Sequence, residues 1–322
     1  EEELIKMFYF KFQDTPLLSR MDAVMEYFID AYETLKGSNI SDDDRELLKS
    51  RFDSMYVTKD IYTIYNWMLE DYGYELLPDV PYERRKIQYE DVFPILYLKY
   101  RLLGKSSQKN IKHLVIDEMQ DYSFMQYVIL QNLFQCRMTI LGDYAQTLDT
   151  KQHDVLKFLP KIFGKDIRKV VLNKSYRNTY EIAKYAAQIS GITGLELLER
   201  HGRPVEERTF ASEDEMLDAI EANVNLGLDG YETGAVITMT EDEAYDIYRL
   251  LKNRGVDAAY VDRDSSAFKR GLTVTTFYLA KGLEFDQVFT IRGRKENPLA
   301  GQAEYIAATR ALQELYVYEN RG

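Results

Sequence analysis

The 322-residue sequence has a single cysteine, Cys136, set in an apolar stretch. A disulfide framework is excluded, inert core filling is the expected role of that thiol, and a reducing cytosol is the expected compartment. No apolar run approaches the length that crosses a bilayer, so no membrane association is expected. The opening Glu-Glu-Glu-Leu-Ile-Lys is not a signal peptide. It also lacks an initiator methionine, and the chain is expected to be a piece of something longer. Positive charge is scarce as well: 41 Lys and Arg stand against 53 Asp and Glu, a net of −12. That argues against a purely electrostatic binder of nucleic acid. The rest is ordinary. A hydrophobic content of 45% with 29% charged residues fits a soluble globular protein, long enough for two domains.

The charge is uneven. Residues 1–90 hold 20 acids and 11 bases, a net of −9. Between Lys157 and Lys184 the balance reverses, with Lys157, Lys161, Lys165, Arg168, Lys169, Lys174, Arg177 and Lys184 against Asp166 and Glu181. Such a strip reads equally as a solvated face or as a contact for phosphate or nucleic acid.

Residues 1–92 read as a helical, acidic segment. After a brief alternation at Phe8, Phe10 and Phe12, Asp14 and Pro16 open a helix. Met21, Val24, Met25, Phe28, Ile29, Tyr32 and Leu35 share one of its faces. Ser41 caps a second helix, and Ile61, Ile64, Tyr65, Trp67 and Met68 mark a third. Another runs from Tyr89 to Leu103. The Gly104-Lys105-Ser106 that follows is not a phosphate-binding loop. Such a loop needs a glycine five positions before the second, and Lys99 stands there.

His113–Ile116 is a short apolar run that reads as a buried strand. Asp117 and Glu118 follow at its carboxyl end, where open α/β sheets bind ligands. One carboxylate there can hold Mg²⁺, and its neighbour can orient or deprotonate a water. An isolated Asp-Glu pair more often only solvates a strand end. Here the device is repeated: after a helix over Met125–Phe134, a second buried strand, Met138–Leu141, ends in Gly142-Asp143-Tyr-Ala-Gln146. Lys169–Leu172 is a third strand candidate. Arg177 lies in the turn beyond it, where a planar guanidinium suits a phosphate, and Thr179 is placed to cap the next helix. A polar, strand-like stretch covers 194–212. Helices over 213–226 and 241–253 then alternate with strands at 235–239, 258–261, 272–276, 288–291 and 315–318. Residues 303–312 form a helix carrying Arg310. This alternation predicts a parallel sheet with helices on its faces.

In order, these motifs resemble the second half of a superfamily 1 helicase of the UvrD/PcrA/Rep type. Asp117-Glu-Met-Gln-Asp121 is similar to motif II, Gly142-Asp-x-x-Gln146 to motif III and Ser175-Tyr-Arg-Asn178 to motif IV. Lys281-Gly-Leu-Glu-Phe285 is similar to motif V and Tyr305-Ile-Ala-Ala-Thr-Arg-Ala311 to motif VI. One alone is weak, but five in order over about 200 residues is a strong signal. The run from Tyr89 to Ser123 also resembles the HelD-like branch, helicase-like ATPases that bind bacterial RNA polymerase.

The resemblance implies an α/β protein with two RecA-like lobes. The first, partial and without Walker A, covers 93–165, and the second covers 166–322. It implies ATP with Mg²⁺ in a cleft between them. Asp117 would organise the metal and Glu118 activate the hydrolytic water. Gln146 would sense the γ-phosphate, and Arg177 and Arg310 would draw charge off the transferred phosphoryl. Tyr176 would stack on adenine, Glu284 would meet the ribose, and Lys281 and Gly282 would complete the nucleotide contacts. Single-stranded or duplex DNA, and RNA polymerase, are the implied partners. Three departures bear on this. Without Walker A, the chain alone is expected to be inactive. After Gln146 the family's base-stacking segment is replaced by Thr147-Leu-Asp-Thr-Lys-Gln-His153, which offers no stacking residue. The acidic front suits a protein partner better than DNA. The motifs therefore favour an ATPase half; the alternative is a non-catalytic, polymerase-binding module with a vestigial pocket, which the missing stacking segment favours as regards nucleic acid but not as regards ATP.

Overall fold

A computed structural model describes residues 1–104, 108, 110–146, 155–164, 166–227, 230–265, 270–293 and 297–321, with Tyr144 described in its backbone alone. Lys105, Ser106, Lys165 and the Thr147–His153 stretch lie outside the described residues. The chain divides into two compact units. The first comprises Glu1–Asp117, Tyr122–Ile140 and the described residues of 155–166. The second comprises Glu118–Asp121 and the described residues of 141–154 and 167–322. Among the described residues, no helix is long and apolar enough to cross a membrane.

The first unit opens with α1 (Glu2–Lys6), which runs into a π-helical turn over Met7–Lys11 where the sequence suggested a brief alternation. Next come α2 (Arg20–Lys36), α3 (Asp42–Asp53), α4 (Ile61–Asp71) and α5 (Tyr89–Leu103). Ser41 caps α3, its hydroxyl accepting from Asp44 N. Asp14 caps nothing. A 3-10 turn at Leu17–Ser19 precedes α2, and the Arg20 guanidinium reaches back to Gln13 O at 2.8 Å. On α2, Met21, Val24, Met25 and Ile29 are buried, while Tyr32 and Leu35 face solvent. The partners of that face (Phe8, Phe12, Phe52 and Tyr56) gather around its first half. On α4 the packed face is Tyr62, Tyr65 and Leu69, against Leu77, Ile95 and Leu98; of the residues that marked this helix in the sequence, Tyr65 packs there while Trp67 and Met68 are exposed. Tyrosine can take this place because each hydroxyl finds an acceptor, Pro78 O at 2.8 Å for Tyr62 and Asp91 Oδ1 at 2.7 Å for Tyr65.

The unit continues with β1 (His113–Ile116), α6 (Phe124–Leu133), β2 (Arg137–Ile140) and α7 (Val155–Phe163). β1 and β2 pair in parallel. They are half-buried, not fully buried as expected. Leu114, Ile116, Met138 and Ile140 pack on Tyr127, Val155 and Leu159, whereas Val115 lies on the open face at 61% exposure. A sheet covered on one side alternates.

The second unit holds the larger sheet. Its elements are β3 (Lys174–Ser175), α8 (Tyr180–Ser190), β4 (Glu196–Leu197), β5 (Glu206–Phe210), α9 (Glu213–Asn223), β6 (Thr233–Thr238), α10 (Glu241–Asn253), β7 (Ala258–Tyr260), β8 (Gly271–Thr276), β9 (Phe285–Arg292), α11 (Ala300–Arg310) and β10 (Ala311–Asn320). Six strands pair in the order β5-β10-β9-β6-β8-β7, all parallel. Both faces are covered. Ala235, Ile237, Val288, Leu315 and Val317 meet α8 and α11 through Ile182, Ala186, Ile306 and Ala307. Val236, Val274, Phe289, Tyr316 and Tyr318 meet α9 and α10 through Leu217, Ile220, Ile247 and Leu251. Double coverage is why these strands read as near-continuous apolar runs. Each fully buried side chain here contributes roughly 1.5–3 kcal/mol. The α/β class with a parallel, helix-flanked sheet is thus what the chain adopts.

One expected strand is absent. Lys169–Leu172 is irregular, with Val170, Val171 and Leu172 exposed at 65%, 68% and 85%. The strand forms two residues later at Lys174–Ser175 and pairs with Glu196–Leu197. Apolar β-branched content marked a strand, but among the described residues no neighbour offers these three a ladder or a core.

Candidate functional site

The unit division falls between the two acids beyond β1. Asp117, exposed, closes a segment of the first unit, and Glu118, partly buried, opens one of the second. Glu118 has φ 52°, a left-handed conformation rare outside glycine. It leads into a 3-10 turn, Met119–Asp121, anchored by Met119 N donating to Leu141 O at 2.8 Å. The buried Gln120 amide works in two directions. Its Nε2 donates to Glu118 Oε2 at 2.6 Å, and its Oε1 accepts from Asp143 N at 3.1 Å. Gly142 makes this approach possible. A Cβ there would lie 2.4 Å from Met119 Cγ and 2.5 Å from Gln120 Oε1.

Asp143 extends the connection. Its Oδ1 accepts from Ala145 N at 3.0 Å, and its Oδ2 accepts from Gln146 Nε2 at 2.8 Å and from the Tyr305 hydroxyl at 2.9 Å. The Tyr305 phenol is raised above its ordinary pKa by burial and by that carboxylate, so it stays a donor at neutral pH. Gln146, 6% exposed, accepts through Oε1 from Arg310 Nη2 at 3.3 Å. Arg310 is 3% exposed at the end of α11. Its Nη1 donates to Leu283 O and its Nη2 to Thr309 Oγ1, each at 3.3 Å. Its Nε–H has no hydrogen-bond partner among the described residues. Burial, then repulsion from Arg177, lowers the Arg310 pKa, against the pull of Glu118, Glu284 and Asp143. A guanidinium stays charged regardless.

The loop between β8 and β9 brings the remaining groups. Gly282 sits at φ 82°, a turn that favours glycine. Lys281, its side chain 9% exposed, donates to both Asp121 oxygens at 2.6 and 2.7 Å and lies 3.8 Å from Glu118 Oε2. Glu284 Oε1 pairs with Arg177 Nε at 2.8 Å, a half-exposed contact worth at most about 1 kcal/mol. Arg177 is held through its backbone. Asn178 Nδ2 donates to Ala311 O at 2.6 Å, while Arg200 Nη2 donates to Arg177 O and, at 3.0 Å, to Leu312 O. Thr179 occupies the N-cap of α8, but its hydroxyl makes no capping bond. It is buried instead, against Gly202, where a Cβ would come within 2.5 Å of Thr179 Cγ2. Tyr176 is 63% exposed, with the Lys174 ammonium 5.6 Å from its ring centre.

Within the second unit, then, Glu118, Gln146, Lys281 and Arg310 join one polar network, and Arg177 is held to Glu284. Tyr176 stands at the surface, and Asp117 belongs to the first unit. Sequence reading assigned no part to Gln120, Asp121, Asp143, Tyr305 or Arg200. The first four lie inside the quoted motifs, so their position was the available signal. Arg200 gave none, since only the fold brings it to β10. Among the described residues, no group of three or more His, Cys, Asp or Glu is placed to hold a metal ion.

No protein-family model matches the sequence, and no curated protein matches it. Among solved structures the chain is similar to the C-terminal domain of a possible DNA helicase from Lactobacillus plantarum WCFS1, at 23% identity and a TM-score of 0.38, covering 45% of this chain and 87% of that one. It is also similar to the arterivirus nonstructural protein 10 helicase in complex with DNA, at 15% identity and a TM-score of 0.28, covering 44% of this chain and 30% of that one.

Proposed function

We propose that this chain is the C-terminal part of a superfamily 1 helicase-like ATPase, in which ATP binding and hydrolysis are coupled to movement on, or remodelling of, a nucleic-acid complex. The observation that carries this reading is the connected path Glu118–Gln120–Asp143–Gln146–Arg310. It joins a carboxylate able to accept a proton from water to a guanidinium able to draw charge from a phosphoryl group. Phosphoryl transfer asks for little else from a protein than such positioning. The buried, unpartnered Arg310 Nε–H adds support, since such a donor gains from an anionic ligand. Mg²⁺ arriving with nucleotide needs only one or two carboxylates besides the phosphates. Arg177 would turn from Glu284 toward phosphate. Tyr176 would stack on the base, Glu284 would meet the ribose, and Lys281 and Gly282 would contact the nucleotide.

DNA is the proposed nucleic acid. The HelD-like assignment and an RNA polymerase partner rest on the Tyr89–Ser123 sequence run. The test is ATP turnover by the full-length protein carrying Glu118→Gln. Removing a positioned general base should cut kcat about 10²- to 10⁴-fold with ATP affinity largely kept. Unchanged turnover would end the catalytic assignment.

A further inference from the structure

Lys281 is the least exposed ammonium group of the site, and it is committed to a carboxylate that the proposed chemistry leaves unused. It donates to both oxygens of Asp121, at 2.6 and 2.7 Å, while Glu118 Oε2 is 3.8 Å away. Its side chain is 9% exposed, against 40% for Asp121. The cation is fixed by the β8–β9 loop, and the acid is the solvent-facing partner, on a single 3-10 turn. That turn is the one entered through the left-handed Glu118. The same loop receives Arg310 through Leu283 O, so the clamped ammonium and the guanidinium with an unpartnered Nε–H are tied to one backbone segment.

We propose that Asp121 is a positioning residue that holds Lys281 in reserve. The incoming terminal phosphate of a nucleotide displaces the Asp121 carboxylate from the ammonium, exchanging one anion for another on a cation that hardly moves. This rests on the nucleotide-site reading and deepens it. Three physical points support the exchange. A polyphosphate oxygen and a carboxylate oxygen compete for the same ammonium hydrogens. Asp121 can leave toward water at low desolvation cost, whereas Lys281 cannot. Release of Asp121 also removes one of the contacts that hold the Met119–Asp121 turn, the turn on which Gln120 donates to Glu118, so phosphate arrival can reach the proposed base through one residue.

The test uses inorganic tripolyphosphate as probe, followed by ³¹P NMR titration in EDTA so that no metal contributes. The proteins are the full-length protein and its Asp121→Asn, Lys281→Ala, double and Arg310→Ala variants. Asp121→Asn should bind the probe about two- to fivefold more tightly, the span expected for a half-exposed ion pair. The double variant should match Lys281→Ala, because the effect of Asp121 acts only through Lys281. A purely structural role for Asp121 predicts weaker binding instead. A second readout needs no ligand: acylation of Lys281, followed by mass spectrometry, should be several-fold faster in Asp121→Asn than in wild type. Weaker or unchanged probe binding in Asp121→Asn, or equal acylation rates, overturns the latch while the nucleotide-site reading stands. Absence of probe binding in wild type, or binding indifferent to Arg310→Ala, overturns that reading and the latch with it.

Discussion

Glu304 shows how one residue's surroundings set its response to acid. Burial alone would raise its carboxyl pKa. Hydrogen bonds from Arg292, at 3.0 Å to each oxygen, and from Tyr185 outweigh burial and hold it below the ordinary 4.5. A carboxyl whose folded pKa lies below its unfolded one adds stability above the unfolded value and loses it as pH falls through the folded value. Urea midpoints of wild type should therefore drop below about pH 4.5 more steeply than those of Glu304→Gln, and the two acid limbs should converge at the lowest pH. Glu314 is a different case. It is 1% exposed and accepts from Gln287 Nε2 at 2.6 Å, Tyr316 at 2.9 Å and Tyr231 at 3.2 Å, with Arg203 Nε 3.1 Å away. Glu314→Ala strands those donors inside the fold. The expected loss is about 2–3 kcal/mol in urea unfolding, and Glu314→Gln should lose less because it keeps an acceptor.

At the scale of elements, the close approach at Gly142 is the sharpest constraint. The Cβ of Gly142→Ala would meet Met119 N at 2.7 Å as well as the two side chains already named. Backbone cannot yield as a flexible side-chain end can. The substitution should cost about 1–3 kcal/mol, read as a lowered denaturation midpoint. It should also weaken any nucleotide-dependent signal, because Gln120 and Asp143 are parted. The irregular Lys169–Leu172 segment makes the opposite prediction. With Leu172 at 85% exposure and no strand pairing, Leu172→Ser should change stability by under about 0.5 kcal/mol. A loss of several times that would mean the residue packs as a core strand does. Both cases concern reach between elements. Gly142 was legible as a turn residue, but the neighbour it must clear was not. Leu172 was legible as apolar, but whether anything meets it was not.

At the scale of the whole molecule, the two units have separate cores. Phe289 is fully buried in the central β9 and stacks on Tyr316 with ring centres 4.7 Å apart. Phe289→Ala should remove about 3–5 kcal/mol from the second unit. Hydrogen exchange should then quicken across β6, β8, β9 and β10, while α4 and α5, which pack around Tyr62, Tyr65 and Leu69, keep their rates. Equal acceleration in both regions would refute the separation of cores.

The amino-acid sequence by itself determined the alternation of strand and helix from Thr233 to Asn320, because strands covered on both faces are rich in apolar and β-branched residues and their helices must carry a stripe. It also determined where the polar groups of the site cluster, since they follow strand ends and glycine turns that local chemistry dictates. Only the tertiary structure decided which apolar residues are inside. Trp67, Leu35 and Leu172 are as hydrophobic as their buried counterparts, and burial depends on a partner that no local pattern names. The same holds for the polar contacts. That Lys281 rests on Asp121, and that Tyr305 reaches Asp143, are meetings between residues about 160 positions apart. Sequence spacing carries no distance at that range, and only the folded second unit brings those side chains within a hydrogen bond of each other.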